Sequence, residues 1–339
     1  MKKRSFFCVI IIAFMLSGCS VMQKNDSEYD KAEKTVYAMD TVMNITAYGP
    51  NAKAAVDCAE EEIFIYDSLF RRGSDAGDIY NINKNGEAVV SADTVKLIKK
   101  ALDICDSTDG AFDISIAPVM DLWGFYNKEY CVPSKTEISD VILNVNYKNI
   151  KVYGNSVSVS KNSRIDLGGI AKGFLSERIM EIYCENGVES GIVSLGGNVQ
   201  TLGTKPDNSK WRVAVQDPDD SNSYIGFLSV SDMAVVTSGS YQRFFEKDGM
   251  IYHHIIDPKT GYPVNNGLAS VTIVCADGTL ADGLSTALFV MGIDRGIKYW
   301  QAHKNFDAIF VNTDGKIYIT KGLKNIFESK RGYSIIDGE

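Results

Sequence analysis

Two oxygen-bearing side chains, Asp282 and Thr286, stand four residues apart in the segment ADGLSTALFVMG. If this segment is helical, the spacing places both side chains on one face of the helix. Mg²⁺ prefers oxygen ligands and often completes its coordination sphere with substrate phosphates. The pattern also fits a structural role, in which Asp282 caps the helix and Thr286 borders the core. The pair alone leaves a magnesium site and a helix cap as alternatives.

A glycine-rich segment, DLGGIAKG, occupies residues 166–173. Its glycines would let backbone N–H groups approach a phosphate, and the start of a following helix would favour the anion. The spacing matches neither the Walker A loop nor the dinucleotide-binding fingerprint. A phosphate cradle and a tight turn before a helix are both consistent with this segment by itself.

His253 and His254 are two of only three histidines in the chain, and they are followed by the turn-forming pair Asp257-Pro258. The charge of a histidine changes near neutral pH, so His254 could act as a general base. A histidine beside an Asp-Pro turn is also a common structural arrangement. Taken alone, the segment does not decide between these roles.

The first residues have the pattern of a bacterial lipoprotein signal. Lys2, Lys3 and Arg4 precede the apolar run Phe6–Leu16, which ends at Ser17-Gly18-Cys19. The run is shorter than the roughly 20 apolar residues that a membrane-spanning helix needs. The alternative is a plain secretion signal with an incidental cysteine.

This pattern predicts a three-part chain. Residues 1–18 would be a signal peptide, Cys19 would carry the lipid, and residues 19–34 would form a flexible tether. Residues 35–339 would then form the folded domain. We expect the protein to be exported and held by lipid on the bacterial cell membrane.

The charge balance excludes whole classes of partner. The chain carries 35 Lys and Arg against 43 Asp and Glu, a net charge of −8. Removal of residues 1–18 takes away three basic residues, which leaves 32 − 43 = −11. Such an acidic chain is unsuited to nucleic acid, and it would need a local positive element or a metal to bind an anionic cofactor.

The order of predicted elements indicates an α+β fold in a single domain. Helical spacing is present from Asn51, as a cap, to Phe70 and again over Ala92–Cys105. Short strands are expected around residues 150–152, 157–159, 192–195, 211–215, 227–230 and 270–275. The segment GAFDISIAPVMDLWGFY is expected to be a strand followed by a long buried loop. Helices and strands interleave without a regular βαβ repeat.

Several motifs in this order resemble the ApbE family, the FAD:protein FMN transferases. The resemblance starts at Met39-Asp40-Thr41 and covers almost all of the predicted domain. Its other blocks are FRRGSD (70–75), GAFDISIAPVMDLWGF (110–125), RIDLGGIAKG (164–173), SLGGN (194–198), WRVAVQDP (211–218), TSGSYQRFF (237–245), HHIIDPKTGYP (253–263) and ADGLSTALFVMG (281–292). The glycine-rich, histidine and final blocks are specific to the family in combination.

The resemblance implies a role for each matching residue. Gly169, through its carbonyl, would bind Mg²⁺ together with Asp282 and Thr286. His254 would lie beside the reacting phosphate as the general base. The residues expected to contact FAD are Met39, Phe70, Ala111, Phe112, Asp113, Asp166, Lys172 and His254. The implied fold has mixed and antiparallel sheets flanked by helices, with a core like that of the T-fold.

Three positions depart from the common family pattern. Asp40 stands where many relatives have glycine, and Gly169 where others have alanine or serine. Phe70 keeps the ring of an often aromatic position but has no hydroxyl. A carbonyl ligand at residue 169 would tolerate its change, because the side chain does not bind the metal.

The implied reaction is transfer of the FMN half of FAD to a Thr or Ser hydroxyl of another protein. The resemblance further implies acceptors among the exported domains of membrane redox complexes. The same residues would serve an FAD pyrophosphatase, in which water is the acceptor. A third alternative is a non-catalytic flavin-binding lipoprotein, which would not need a metal on the pyrophosphate.

Overall fold

The computed structural model describes residues 30–73 and 75–338. The helices are α1 (Ala52–Phe70), α2 (Asp78–Asn85), α3 (Ala92–Ser107), α4 (Ala117–Leu122), α5 (Lys135–Ile142), α6 (Ala171–Glu185), α7 (Gly278–Met291) and α8 (Ile293–His303). The predicted signal peptide, Cys19 and most of the predicted tether lie outside the described residues.

The strands are short and mostly antiparallel. In chain order they are β1 (Lys31–Ala38), β2 (Thr41–Tyr48), β3 (Glu87–Val89), β4 (Lys151–Tyr153), β5 (Ser156–Ser158), β6 (Ser190–Leu195), β7 (Asn198–Leu202), β8 (Trp211–Asp217), β9 (Asp220–Val230), β10 (Ala234–Gly239), β11 (Phe244–Lys247), β12 (Met250–His253), β13 (Leu268–Cys275), β14 (Asp307–Asn312), β15 (Ile317–Thr320), β16 (Phe327–Glu328) and β17 (Tyr333–Ile336).

Nine of these strands form the central sheet, in the order β1-β2-β6-β7-β10-β13-β14-β15-β17. Only the last pair, β15 and β17, is parallel. Smaller sheets are formed by β16-β9-β8, by β3-β5-β4 and by the hairpin β11-β12. The α+β prediction, with mixed and antiparallel sheets flanked by helices, is confirmed.

The central sheet is buried on both faces because its strands alternate between two cores. Val236 and Ile273 face the core that contains the buried stripes of α1, α6 and α7. Their neighbours Val235 and Val274 face a second core, which is shared with β8, β9 and β16. Strand β13 is therefore buried at every position.

One end of the central sheet gathers two tight turns and the end of strand β10. The turn Met39-Asp40 joins β1 to β2, and Gly196-Gly197 joins β6 to β7. These two turns touch, because a Cβ added at Gly196 would lie 2.3 Å from Thr41 Oγ1. Strand β10 reaches the same end at Ser238 and Gly239, since Val236 pairs with Asn198. The functional motifs of the sequence are concentrated at this end.

Several boundaries differ from the sequence predictions. The tether was expected to reach Lys34, but Lys31–Lys34 pair with Ile45–Tyr48 in the central sheet. Backbone pairing with β2 and the ion pairs of Lys34 with Asp57 and Glu60 order this polar segment. Asn51 does not cap α1 with its side chain, which donates to the carbonyl of Asn186 instead.

The aromatic segment after Gly110 is also organised differently from the prediction. It contains the short helix α4, which begins with Ala117-Pro118, where a proline is favourable in the first turn. Trp123, at the end of α4, is fully buried and donates from Nε1 to the carbonyl of Gly261. Within residues 30–73 and 75–338, no helix is both long and apolar enough to cross a membrane.

Candidate functional site

Helices α6 and α7 cross at unusually close range, and this crossing positions the predicted metal ligands. A Cβ added at Gly173 would lie 2.2 Å from the carbonyl oxygen of Gly278 and 2.6 Å from Cβ of Asp282. Only glycine allows this approach of the two backbones. The backbone N–H of Gly173 donates to Oδ2 of Asp282 at 2.8 Å. The glycine-rich motif and the ADGLSTALFVMG motif thus meet through a direct hydrogen bond.

The structure rules out the helix-cap interpretation of Asp282. The cap of α7 is Asp277, whose Oδ1 accepts from the backbone N–H of Leu280 at 2.8 Å. Asp282 lies one turn further inside the helix and is only 4% exposed. Within the described part of the chain, no basic side chain forms an ion pair with it. A buried carboxylate without a cationic partner is costly, which favours a bound cation over a structural cap.

Thr286 and Gly169 lie on the same side of this crossing. A Cβ added at Gly169 would stand 3.7 Å from Thr286 Oγ1 and 3.1 Å from the ring of Phe112. The backbone of residue 169 is therefore within reach of a group bound to the Thr286 hydroxyl. This small space, bounded by Phe112, is where the resemblance placed a carbonyl ligand.

The donor set fits Mg²⁺ better than a softer metal. Among the described residues, no group of three or more His, Cys, Asp or Glu side chains could hold a metal ion. The candidate ligands are instead one carboxylate, one hydroxyl and one carbonyl. Mg²⁺ is commonly bound by such a small set of protein oxygens, with substrate phosphates as further ligands. Asp282, Thr286 and Gly169 therefore fit a magnesium ion whose remaining ligands are supplied by substrate phosphates.

Asp166 holds the turn that leads into α6. Its Oδ1 accepts from the backbone N–H of Gly168 at 2.7 Å, and its Oδ2 lies 3.2 Å from Nε of Arg72. Arg72 also binds Asp121 at 2.8 Å, and its guanidinium lies 3.9 Å above the ring of Tyr126. Sequence analysis did not single out Arg72, although it lies in the FRRGSD block.

His254 has a defined tautomer. Its Nδ1 lies 3.1 Å from the carbonyl oxygen of Arg243, which can only accept a hydrogen bond. Nδ1 must therefore carry the proton, and Nε2 keeps a free lone pair. Burial, together with the nearby charges of Arg243 and, to a smaller extent, Lys172, lowers the pKa of His254 to about 3. The ring is neutral at physiological pH and can accept a proton at Nε2.

His253 has the opposite tautomer and a structural role. Its Nε2 donates to the carbonyl of Val264 at 2.8 Å, and its Nδ1 accepts from the backbone N–H of Ile255. Both ring nitrogens are thus used inside the protein. Of the two adjacent histidines, only His254 has a nitrogen available for chemistry.

Lys172 connects the histidine to the glycine-rich segment. Its Nζ lies 3.4 Å from the carbonyl oxygen of Gly168, and its charge contributes to the lowered pKa of His254. Arg243, which sequence analysis also missed, adds a second positive charge beside the same ring. The structure therefore supplies the local positive element that an acidic chain needs near an anionic ligand.

The predicted FAD-contacting residues are not equally accessible. Met39 is half-buried in the β1–β2 turn, where it and Asp40 both have positive φ. Phe70 is 6% exposed and packs its ring against Tyr66 and Phe174, with centroids 5.0 and 6.1 Å apart. Phe70 thus packs within the hydrophobic core, and its predicted contact with FAD stays a prediction.

Ala111, Phe112 and Asp113 are also almost fully covered. Both carboxylate oxygens of Asp113 accept backbone hydrogen bonds, one from Ser115 and one from Tyr147. Burial raises the pKa of Asp113, and these hydrogen bonds oppose the rise. Asp113 thereby fixes the loop that presents Phe112 to Gly169.

A cavity of about 770 Å³ lies elsewhere on the surface, between residues 83–87 and 158–164. It is open and polar, and it contains none of the predicted ligands. The candidate site is therefore defined by its converging chemistry, not by the size of a cavity.

Comparison with known proteins agrees with this geometry. The sequence pattern of the ApbE family matches residues 39–310, which is 272 of 339 positions. This chain belongs to the ApbE family. The resemblance inferred from the sequence motifs is confirmed, and with it the prediction of an enzyme of this family.

Two curated relatives align with most of this ApbE protein. An FAD:protein FMN transferase of Treponema pallidum is 29% identical over 87% of this chain and 88% of its own length. One from Klebsiella pneumoniae is 32% identical over 79% of this chain and 84% of its own length.

Solved structures show the same fold. The ApbE protein of Thermotoga maritima superimposes with a TM-score of 0.83 at 33% identity, covering 87% of this chain and 99% of its own. The flavin transferase ApbE of Vibrio cholerae gives a TM-score of 0.79 at 27% identity, covering 88% of this chain and 99% of its own.

Proposed function

We propose that this protein transfers the FMN half of FAD to a Thr or Ser hydroxyl of an acceptor protein and releases AMP. The proposal is supported above all by the buried carboxylate of Asp282, which lies four residues before Thr286 in α7 and, among the described residues, forms no ion pair with a basic side chain. The relatives of Treponema pallidum and Klebsiella pneumoniae are FAD:protein FMN transferases, which agrees with it.

Asp282, Thr286 and the carbonyl of Gly169 would hold Mg²⁺, which supplies positive charge to the pyrophosphate of FAD. Lys172 and Arg243 add positive charge beside His254. Such preorganised charge lowers the cost of negative charge that develops on phosphate oxygens.

Nε2 of His254 would accept the proton of the acceptor hydroxyl. The hydroxyl oxygen forms a bond to the phosphorus of the FMN half, and the bond from that phosphorus to the AMP oxygen breaks. AMP leaves with the bonding electron pair. The hydrogen bond from Nδ1 to the Arg243 carbonyl keeps the ring oriented while Nε2 takes up the proton.

The location and the partners belong to the same proposal. A lipid on Cys19 would place the enzyme on the outer side of the bacterial cell membrane. Exported domains of membrane redox complexes would then be within its reach as acceptors.

The proposal is tested by Asp282→Ala, with Asp277→Ala as the matched control. Asp277 is the cap of α7 and Asp282 lies inside it, and of the two only Asp282 accepts a hydrogen bond from the glycine-rich segment, at Gly173. We expect Asp282→Ala to abolish in-gel flavin fluorescence of an acceptor domain incubated with FAD and Mg²⁺. Asp277→Ala removes a helix cap, so it should cost about 1 kcal/mol of stability and leave transfer intact.

Undiminished transfer by Asp282→Ala in excess Mg²⁺ would disprove the metal assignment. A parallel incubation without acceptor addresses the alternative reaction. Rapid release of free FMN and AMP there, with no labelling when acceptor is present, would identify the protein as an FAD pyrophosphatase. Tight FAD binding without turnover in either incubation would identify a flavin-binding lipoprotein.

A further inference from the structure

Three hydroxyl groups form a continuous hydrogen-bonded chain beside the proposed metal ligands. Thr286 Oγ1 lies 3.2 Å from Oγ of Ser238, which lies 2.7 Å from Oγ of Ser285. Ser285 Oγ donates to the carbonyl oxygen of Asp282 at 2.8 Å. Two of these residues belong to α7, and Ser238 belongs to the neighbouring strand β10.

Only one arrangement of protons satisfies all three hydrogen bonds. The carbonyl of Asp282 can only accept, so Ser285 must use its single proton there. Ser285 can then only accept from Ser238, and Ser238 in turn can only accept from Thr286. The proton of Thr286 is thereby directed at Ser238, and the lone pairs of its oxygen are left for other partners.

This direction matters for a cation. A threonine hydroxyl binds a metal ion through an oxygen lone pair, and its proton must point elsewhere. Within the described part of the chain, Ser238 is the only hydrogen-bond partner of the Thr286 hydroxyl. Without Ser238, that proton could rotate toward the cation and oppose its binding.

We infer that Ser238 and Ser285 are positioning residues, which orient the Thr286 hydroxyl so that its lone pairs are available to Mg²⁺. The inference rests on the proposed function, because it assumes that Thr286 is a metal ligand. It assigns a role to two residues that do not themselves contact the metal. Outer partners of this kind typically change metal affinity by about 10- to 100-fold when they are removed.

The same strand offers a matched control on its opposite face. Thr237 precedes Ser238, and its Oγ1 lies 2.8 Å from Oγ1 of Thr272. This hydroxyl pair also links two elements, and it is separate from the hydrogen bond between Ser238 and Thr286. Thr237→Val therefore removes a comparable hydrogen bond without affecting the chain of hydroxyls.

The experiment measures binding of Mn²⁺ to the purified full chain with FAD present, by the EPR signal of the free ion. We expect Ser238→Ala and Ser285→Ala to weaken Mn²⁺ binding about 10- to 100-fold. Ser238→Thr keeps the hydroxyl on a strand that accommodates threonine, so it should retain the affinity of the wild type. Thr237→Val should also bind as the wild type does, and thermal unfolding of all variants reports any general loss of stability.

The outcomes separate this inference from the proposed function. If the wild type binds Mn²⁺ and Asp282→Ala does not, but both serine variants bind like the wild type, the positioning role is wrong and the metal site stands. If Thr237→Val weakens binding as much as Ser238→Ala, the effect is one of general stability and the positioning role is again wrong. A wild type that binds no Mn²⁺ with FAD would overturn the metal site and the positioning role together.

Discussion

At the scale of single residues, neighbouring side chains of the same type have different roles because their hydrogen bonds differ. His253 uses both ring nitrogens within the protein, whereas His254 uses only Nδ1. Asp277 caps α7, whereas Asp282 is buried one turn later and has no cationic partner within residues 30–73 and 75–338. In each pair the sequence shows the residue type, and only the fold shows which atom is free to react.

The lowered pKa of His254 has a direct consequence for pH dependence. Because the folded pKa is about 3, Nε2 remains a free base as the pH falls from 8 through 6.5. We expect kcat/KM for FAD to show no acid limb near pH 6.5, which is the ordinary pKa of histidine. His254→Ala should lower kcat by about 10²- to 10⁴-fold across this range, the usual contribution of a general base.

Nitrogen-15 NMR of histidine-labelled protein gives an independent check. At pH 5.5 the His254 ring should be neutral and protonated on Nδ1. The unfolded chain binds a proton on this histidine below about pH 6.5, so its burial makes the fold less stable as the pH falls from there to about 3. A protonated His254 ring at pH 5.5, or an acid limb near 6.5 that His254→Ala removes, would contradict the assignment.

At the scale of elements, much of the fold could be predicted because it follows from local periodicity. The apolar spacing of α1 and α3 matched the observed helices to within two residues, since both helices bury one continuous stripe. The hairpin β11-β12 and the helix α8 were not predicted. The hairpin turns at Asp248-Gly249, where both residues have positive φ. Because several of its apolar side chains are exposed, its sequence lacks the usual alternation of buried apolar and exposed polar residues.

The candidate site could be predicted only in part, for a different reason. Asp282, Thr286, Gly169 and His254 lie in motifs that are recognisable along the chain. Ser238 and Arg72 act through partners more than 40 residues away, and no local spacing reveals such contacts. Their motifs were recognised as blocks, but the roles of single residues within them needed the three-dimensional structure.

The crossing of α6 and α7 leads to a prediction at this scale. Gly173→Ala would place a methyl group 2.2 Å from the carbonyl oxygen of Gly278, so the helices must separate. We expect a loss of about 1–3 kcal/mol of stability, as for other overpacked contacts. Because the Gly173 N–H binds Asp282, Mn²⁺ affinity should fall as well.

Gly332→Ala is the control for this change. A Cβ at Gly332 meets no atom within 4 Å, and its φ is not in the left-handed region. Urea unfolding should show a shifted midpoint for Gly173→Ala and an unchanged midpoint for Gly332→Ala. Equal stability and equal Mn²⁺ affinity of both variants would show that the close crossing does not position the site.

At the scale of the whole molecule, strand β1 runs toward the candidate site. Its last residue lies at the same end of the sheet as the site, and its first residue lies at the opposite end. Strand β1 begins at Lys31 and ends at the turn Met39-Asp40, beside Gly196. Eight residues of extended strand span about 26 Å. A lipid attached before residue 30 would therefore hold the domain by the end of β1 that is distant from the site.

The lipid anchor can be tested separately from the chemistry. Cys19→Ala should move the protein from the membrane fraction to the soluble fraction of cells, because several acyl chains supply the anchoring energy at about 0.8 kcal/mol per buried CH₂ group. Cys8→Ala removes a cysteine from within the apolar run Phe6–Leu16 and should leave the protein in the membrane fraction.

Purified Cys19→Ala protein should flavinylate a soluble acceptor domain at the rate of the wild type, since every residue predicted to contact FAD or Mg²⁺ comes at position 39 or later in the sequence. In cells, flavinylation of a membrane-bound acceptor should fall, because the enzyme is no longer concentrated on the same surface. Retention of Cys19→Ala in the membrane fraction after a carbonate wash would rule out the lipid anchor. Loss of transfer by the purified variant would instead show that the segment before β1 takes part in the reaction.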